Sequence, residues 1–145
     1  MVEINYGKAR IKLGDTDSVY EPAEDSFLLA DAGLKEAKPG MHVLEVGAGS
    51  GFISAVLLTY LKDIFLVATE INPHAARCAK ENGIEVIRTD LFGGLKPEKP
   101  ESRFDLILFN PPYLPTSKEE QIPGWLNYAF NVGISGRETL DRFLD

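Results

Sequence analysis

Asn110-Pro111-Pro112-Tyr113 closes an apolar run, Phe104 to Phe109, that is broken only by Asp105. An amide, two prolines and a phenol are an unusual way to end a buried strand, and together they suit one task. The side-chain oxygen of Asn110 and the backbone carbonyl of Pro111 can hold the two N–H bonds of a planar amide or aromatic amine. The 111–112 peptide has no N–H, because Pro112 carries none, so it cannot continue a ladder, and two fixed φ angles keep the carbonyl aimed. Tyr113 offers an aromatic face to a planar group and helps limit water. Asn is neutral and accepts hydrogen bonds without needing a shifted pKa. The lone pair of such a nitrogen is delocalised, so positioning must contribute much of the rate of any attack it makes. Asn110, Pro111 and Tyr113 are the candidate catalytic residues, and Asn110, Pro111, Pro112 and Tyr113 the candidate substrate-binding segment. The bland alternative is a proline-rich turn.

Three other strand ends weigh against that alternative. Val43, Leu44 and Val46 form an apolar strand that stops at Gly47-Ala48-Gly49-Ser50-Gly51. This is GxGxG, without the GxGxxG spacing of a dinucleotide fold or the lysine of a P-loop. Gly47, Gly49 and Gly51 let the backbone turn tightly and let a ligand approach it, although a tight strand-to-helix connection alone would also use them. Glu70 ends the next strand, Phe65 to Thr69, about 20 residues on, where a carboxylate can accept from both hydroxyls of a ribose. Asp90 ends the strand Val86 to Thr89 and can accept from an adenine amine, though a lone Asp before a loop is also an ordinary turn residue. An adenosine site without a phosphate cradle favours S-adenosyl-L-methionine over a nicotinamide dinucleotide. Glu45, just before the first glycine, can place negative charge near a sulfonium. A methyl group leaves that sulfonium by in-line displacement, which gives the 110–113 grip its purpose.

The elements that must position these residues alternate. Residues 1–21 read as an N-terminal arm, with Ile11 and Leu13 alternating with polar neighbours as in a short strand. A helix is expected from Pro22, with Ala23, Phe27, Ala30 and Leu34 on one face, Glu24 and Asp25 suiting the dipole of its first turn, and Gly33 and Lys38-Pro39-Gly40 ending it. Ile53 to Leu61 is apolar nearly all round, as a helix packed on a sheet would be, and a further helix is capped by Asn72-Pro73 and stopped by Gly83. Strands alternating with helices predict an α/β, Rossmann-like parallel sheet with helices on both faces and right-handed crossovers, in a single domain over 22–145. Ligands of such sheets gather at the carboxyl ends of the strands.

Bulk properties narrow the function classes. The 145 residues suffice for one domain. A net charge of -7 and a pI near 4.9 disfavour direct nucleic-acid binding, whose phosphates demand a basic face. No apolar run approaches the roughly 20 residues that cross a bilayer. The single Cys78 cannot form an internal disulfide and reads as a small helix residue among alanines, and two separated histidines offer no metal site. A cytoplasmic protein is expected.

Four stretches carry a resemblance: Tyr20-Glu21-Pro22-Ala23-Glu24-Asp25-Ser26, Leu44-Glu45-Val46-Gly47-Ala48-Gly49-Ser50-Gly51, Asn110-Pro111-Pro112-Tyr113, and Gly136-Arg137-Glu138 with Asp141-Arg142-Phe143. From about residue 18 onward the chain resembles the HemK-like class I S-adenosylmethionine-dependent methyltransferases, in the archaeal and eukaryotic subgroup that methylates the glutamine amide of translation release factors. The resemblance implies cofactor contacts at Ser26, Glu45, Gly47, Glu70, Asp90 and Leu91, with Asn110 touching both cofactor and substrate, and a role for the Ser26 hydroxyl at the methionine carboxylate. It implies the Gly-Gly-Gln loop of a class 1 release factor as substrate. It also implies a small zinc-binding activator subunit adding to the strand edge Glu85 to Thr89, without which the chain would be poorly soluble.

Two departures accompany the resemblance. Val132-Gly133 stands where the family usually has two glycines, which leaves open the shape of the loop from Leu114 to Ser135 with Trp125, Tyr128 and Phe130. The chain stops at Asp145, where the fold normally continues through three more strands, so a C-terminally incomplete domain is expected. The rival readings are an adenine amino-methyltransferase using the same grip on a flipped base and a non-catalytic cofactor-binding module. A nicotinamide-dependent oxidoreductase is weaker still, given the glycine spacing.

Overall fold

Alternating burial organises the N-terminal arm. In the computed structural model, which describes residues 2–14, 18–90 and 104–111, it forms an antiparallel hairpin of β1 (Val2–Tyr6) and β2 (Ala9–Leu13), paired from Val2 with Leu13 to Tyr6 with Ala9. Ala9, Ile11 and Leu13 are buried on one face of β2, the alternation legible in the sequence. β1 escapes such a reading because its residues are exposed or only half-buried.

Helix α1 runs Glu24–Glu36, starting two residues later than Pro22 predicts. Gly33 does not end it. This glycine is buried, and a Cβ there would lie 3.1 Å from Leu57 Cδ1 and 3.3 Å from Leu108 Cδ1, so it marks the closest approach of α1 to the layer beneath. The helix ends when Ala37 turns extended, two residues before Pro39.

Five further elements follow: β3 (His42–Val46), α2 (Phe52–Tyr60), β4 (Phe65–Thr69), α3 (Pro73–Glu81) and β5 (Val86–Ile87). The last described strand is β6 (Leu106–Phe109). The Asn72 side chain caps α3 by accepting the N–H groups of His74 and Ala75, and Gly83 beyond the helix takes a φ of +83°. The sheet is parallel in the order β5-β4-β3-β6. Ladder bonds between β4 and its neighbour extend past the short β5, from Ala68 N–H to Glu85 O and from Thr89 N–H to Glu70 O. Asp105, the one polar break in the fourth apolar run, ties β6 to β3: its carboxylate accepts the His42 N–H at 2.8 Å and its own N–H donates to His42 O at 2.8 Å.

Strand parity sets the layers. Val43, Glu45, Leu66, Ala68, Leu106 and Leu108 share the face that meets the helices, as the Glu45–Ser54 bond and the Leu108–Gly33 approach require. Both crossovers step the same way along the sheet, which puts α2 and α3 on one side of it, and α1 packs beside α2. The expectation of helices on the opposite face falls outside the described residues. The hairpin forms a cover over the helix layer, β2 lying on α2 and α3. Asn82 secures it by accepting the Lys12 N–H at 2.7 Å and donating to Lys12 O and to Ser50 O, each at 2.9 Å. Tyr6, Phe27 and Phe52 add a cluster with centroids 5.5 Å apart, joining hairpin, α1 and α2. Among the described residues no helix is long and apolar enough to cross a membrane.

Candidate functional site

A parallel sheet brings its carboxyl ends to one edge, so the loops after β3, β4, β5 and β6 are neighbours by construction. The loop after β3 is fixed by two bonds to the tip of β4: Gly47 N–H and Ala48 N–H both donate to Thr69 O, at 2.8 and 3.0 Å. Gly47, Gly49 and Gly51 all take left-handed φ values, +72°, +58° and +85°. Their surroundings differ. A Cβ at Gly49 would meet nothing within 4 Å, leaving the backbone open to a ligand, whereas one at Gly51 would lie 3.0 Å from Ala79 and Ile84. Gly51 is thus required by the packing of α3, and Gly49 faces open space.

Glu70 ends β4 almost wholly buried. Its Oε1 accepts the Gly49 N–H at 2.7 Å and its Oε2 the Asn72 N–H at 2.9 Å. Burial pushes its carboxyl above the usual range, against the N–H bonds of Asn72, Gly49 and Ile71 that favour the charged form. Four lone-pair positions on a carboxylate exceed these three donors, so one acceptor remains for a ribose hydroxyl. Asp90 lies exposed three residues beyond β5, in a segment held to the β4 tip by the Thr89 N–H.

Glu45 faces α2, where its Oε1 accepts the Ser54 hydroxyl at 2.6 Å, and it is 2% exposed. Desolvation pushes its carboxyl up to about 8, opposed by the Ser54 bonds and reinforced by the Glu70 charge. Below pH 4.5 both the folded and unfolded chains carry this proton. Between there and pH 8 only the folded chain keeps it, so stability falls as pH rises through that window. Replacing Glu45 with Gln keeps an acceptor for Ser54 and removes the titration. The variant is expected to lose less stability than the parent between pH 5 and 8, by on the order of 3 kcal/mol, in urea melts at the two pH values.

Asn110 and Pro111 follow β6 and are half-buried. Asn110 Nδ2 donates to Asp25 Oδ2 at 3.2 Å, which joins the first turn of α1 to the strand tips. Asp25 Oδ1 accepts the Ser26 N–H at 2.8 Å, and the Tyr20 hydroxyl donates to Oδ1 at 3.1 Å. Ser26 is buried, its Oγ accepting the Ala23 N–H at 3.2 Å.

Of the residues picked out from the sequence, the structure assembles Gly47, Gly49, Glu70 and Asn110-Pro111 along one edge, with Asp90 beside the tip of β4. Ser26 adjoins Asn110's partner, and Glu45 sits one layer below. Leu91, Pro112 and Tyr113 lie outside the described residues. Asp25 was assigned only to the helix dipole in the sequence, and Asn72, Ser54 and Tyr20 carried no functional assignment; Glu45's parity with Val43 is the signal that would have turned it toward the helices.

An adenosine-bearing sulfonium fits these groups: an open glycine backbone at Gly49, a spare carboxylate acceptor on Glu70, and Asp90 beyond β5. Known proteins agree with the geometry. The methyltransferase small domain family matches residues 25–123. A Methanocaldococcus jannaschii protein named for protein N5-glutamine methyltransferase activity is 48% identical over 141 residues, covering 92% of this chain and 67% of that protein. The Schizosaccharomyces pombe protein named eRF1 methyltransferase catalytic subunit mtq2 is 31% identical, covering 92% of this chain and 66% of its own length. The chain thus spans about two thirds of the length of the curated relatives it matches. The N-terminal domain of human METTL16, solved in complex with SAH, has the same fold: TM-score 0.53, 19% identity, 72% of this chain and 47% of that one.

Proposed function

The chain belongs to the methyltransferase small domain family, among the protein N5-glutamine methyltransferases, and from that premise we propose that it transfers a methyl group from S-adenosyl-L-methionine to the side-chain amide nitrogen of a glutamine, in the Gly-Gly-Gln loop of a class 1 translation release factor. One observation carries the reading: Asn110-Pro111 stands at the end of β6 on the same sheet edge as the open Gly49 backbone and Glu70. The cofactor supplies an electrophilic methyl on sulfur when bound. Gly49, Glu70, Asp90 and, outside the described residues, Leu91 hold its nucleoside; Ser26 and Glu45 serve its methionine end. Asn110 Oδ1 and the Pro111 carbonyl take the two N–H bonds of the substrate amide and align its nitrogen, with Pro112 and Tyr113 completing the grip. Holding the nitrogen within reach of the methyl supplies the orientation that a weak nucleophile lacks.

The outer edge of β5 is unpaired among the described residues, and the fission-yeast relative is named a catalytic subunit. Both support a small zinc-binding activator adding a strand along Glu85–Thr89. The cytoplasm, where translation terminates, is the compartment this reading requires.

The test is transfer from labelled S-adenosyl-L-methionine, with and without the candidate activator, to release factor, to the same factor with its GGQ glutamine changed, and to duplex DNA. Label on the intact factor alone is the expected result. Label on DNA alone would keep the 110–113 chemistry and overturn the substrate.

A further inference from the structure

We propose that Asp25 is a positioning residue that decides which end of the Asn110 carboxamide faces the substrate, and so makes the site select N–H donors; this rests on the amide-methylation reading above. The two ends of a carboxamide are nearly the same size, and nothing in their shape prevents a half-turn. Chemistry does. Asn110 Nδ2 lies 3.2 Å from Asp25 Oδ2, and a carboxylate only accepts, so the NH2 end must face α1. The oxygen then points the other way, and among the described residues it accepts no hydrogen bond. Reversed, the amide would set an oxygen against a carboxylate and present donors to a substrate that also presents donors.

Asp25 is itself held on both sides. Ser26 N–H and the Tyr20 hydroxyl donate to Oδ1, at 2.8 and 3.1 Å, and the same hydroxyl lies 3.4 Å from Oδ2. The sequence Tyr20 to Asp25 to Asn110 is a charge-assisted chain, and the carboxylate at its centre polarises the carboxamide, raising electron density on the outward oxygen. A glutamine amide offers two N–H groups to that oxygen and to the Pro111 carbonyl. A glutamate side chain in the same place offers none, and meets two acceptor oxygens with the Asp25 carboxylate behind them. Discrimination between the two thus starts outside the strand tips, in the first turn of α1.

The test is a double-mutant cycle on single-turnover methyl transfer at saturating cofactor, with Asp25→Ala, Asp25→Asn, Asn110→Ala and the pair Asp25→Ala/Asn110→Ala. Asp25→Asn preserves shape while allowing both amides to turn, and guards against a folding artefact in the alanine variant. Each Asp25 variant is expected to slow transfer about 10- to 100-fold with cofactor affinity unchanged. In the Asn110→Ala background the Asp25→Ala change is expected to cost nothing further, because the group through which it acts is gone. Independent losses that multiply would overturn the proposal, as would a wild-type rate in Asp25→Asn. If the parent chain labels no glutamine at all, the amide-methylation reading fails and the side-chain NMR signals decide the geometry: Asn110 Nδ2 protons should move upfield in Asp25→Ala, and an unmoved pair rules Asp25 out.

Discussion

Replacing Asn110 with alanine is expected to lower the rate of methyl transfer about 100- to 1,000-fold, or about 3–4 kcal/mol of transition-state stabilisation. The lost group touches the reacting nitrogen's substituents, and its contribution grows as the amide gives up its delocalised electron pair and its protons become more acidic. An acceptor fixed beforehand meets that change without rearranging, and alanine provides none. Cofactor affinity should stay largely intact, because most of the implied contacts lie on the loops after β3, β4 and β5. Stability should fall by no more than about 1.5–3 kcal/mol, since Asn110 is half-buried and gives one described hydrogen bond, the charge-assisted one to Asp25. Single-turnover labelling and calorimetric titration with S-adenosyl-L-methionine separate these quantities. An unchanged rate would return the 110–113 segment to the status of a proline-rich turn, and an equal loss of cofactor affinity would make Asn110 a cofactor ligand first. A binding module would show no turnover in the parent to lose.

What was legible in the sequence divides along a physical line. The sheet could be read because its strands are short, mostly apolar runs bounded by turn signals: Val43 to Val46, interrupted only by Glu45, then Phe65 to Thr69 and Leu106 to Phe109. Asn72-Pro73 and Gly83 could be read because a cap and a left-handed stop are local demands on local residues. β1 could not, since a strand over which no face is fully buried has little period to detect. Gly33 was misleading for the opposite reason. Local rules make a glycine punctuation, and only the distant Leu57 and Leu108 explain one inside a helix.

The candidate site shows the same division. Residues at strand tips are placed by strand periodicity, so the positions of Gly47, Gly49, Glu70 and Asn110 on one sheet edge are legible in the sequence. Asp25 meets Asn110 across 85 positions of chain, and a carboxylate in a first helical turn already has a sufficient local explanation in the helix dipole. Glu45 has a partner that its position beside Gly47 does not reveal: parity with Val43 turns it to the helix side, where it accepts the Ser54 hydroxyl.

Gly51 and Gly49 separate two meanings of a glycine loop, and the larger stability effect belongs to the first. Gly51→Ala is expected to destabilise the fold by about 2–5 kcal/mol, the sum of a left-handed backbone penalty and an overpacking cost. Gly51 precedes α2 at φ +85°, and a Cβ there would stand 3.0 Å from Ala79 Cα, Ala79 Cβ and Ile84 Cγ1. The first of these is backbone, so relief requires α3 to shift as a body, and α3 carries the Asn82 clamp on the hairpin at its end. Gly49→Ala shares the backbone penalty without the clash, since the added methyl enters open space. That space is where the cofactor must approach, so Gly49→Ala should fold and bind S-adenosyl-L-methionine poorly, while Gly51→Ala should melt early with or without it. Against a typical stability of about 5–15 kcal/mol, the Gly51 loss is a large share of what holds a domain together. Thermal melts and cofactor titrations of the two variants read out the contrast. Equal melting temperatures would mean that α3 yields to the methyl, and that the glycines of this loop all serve the ligand.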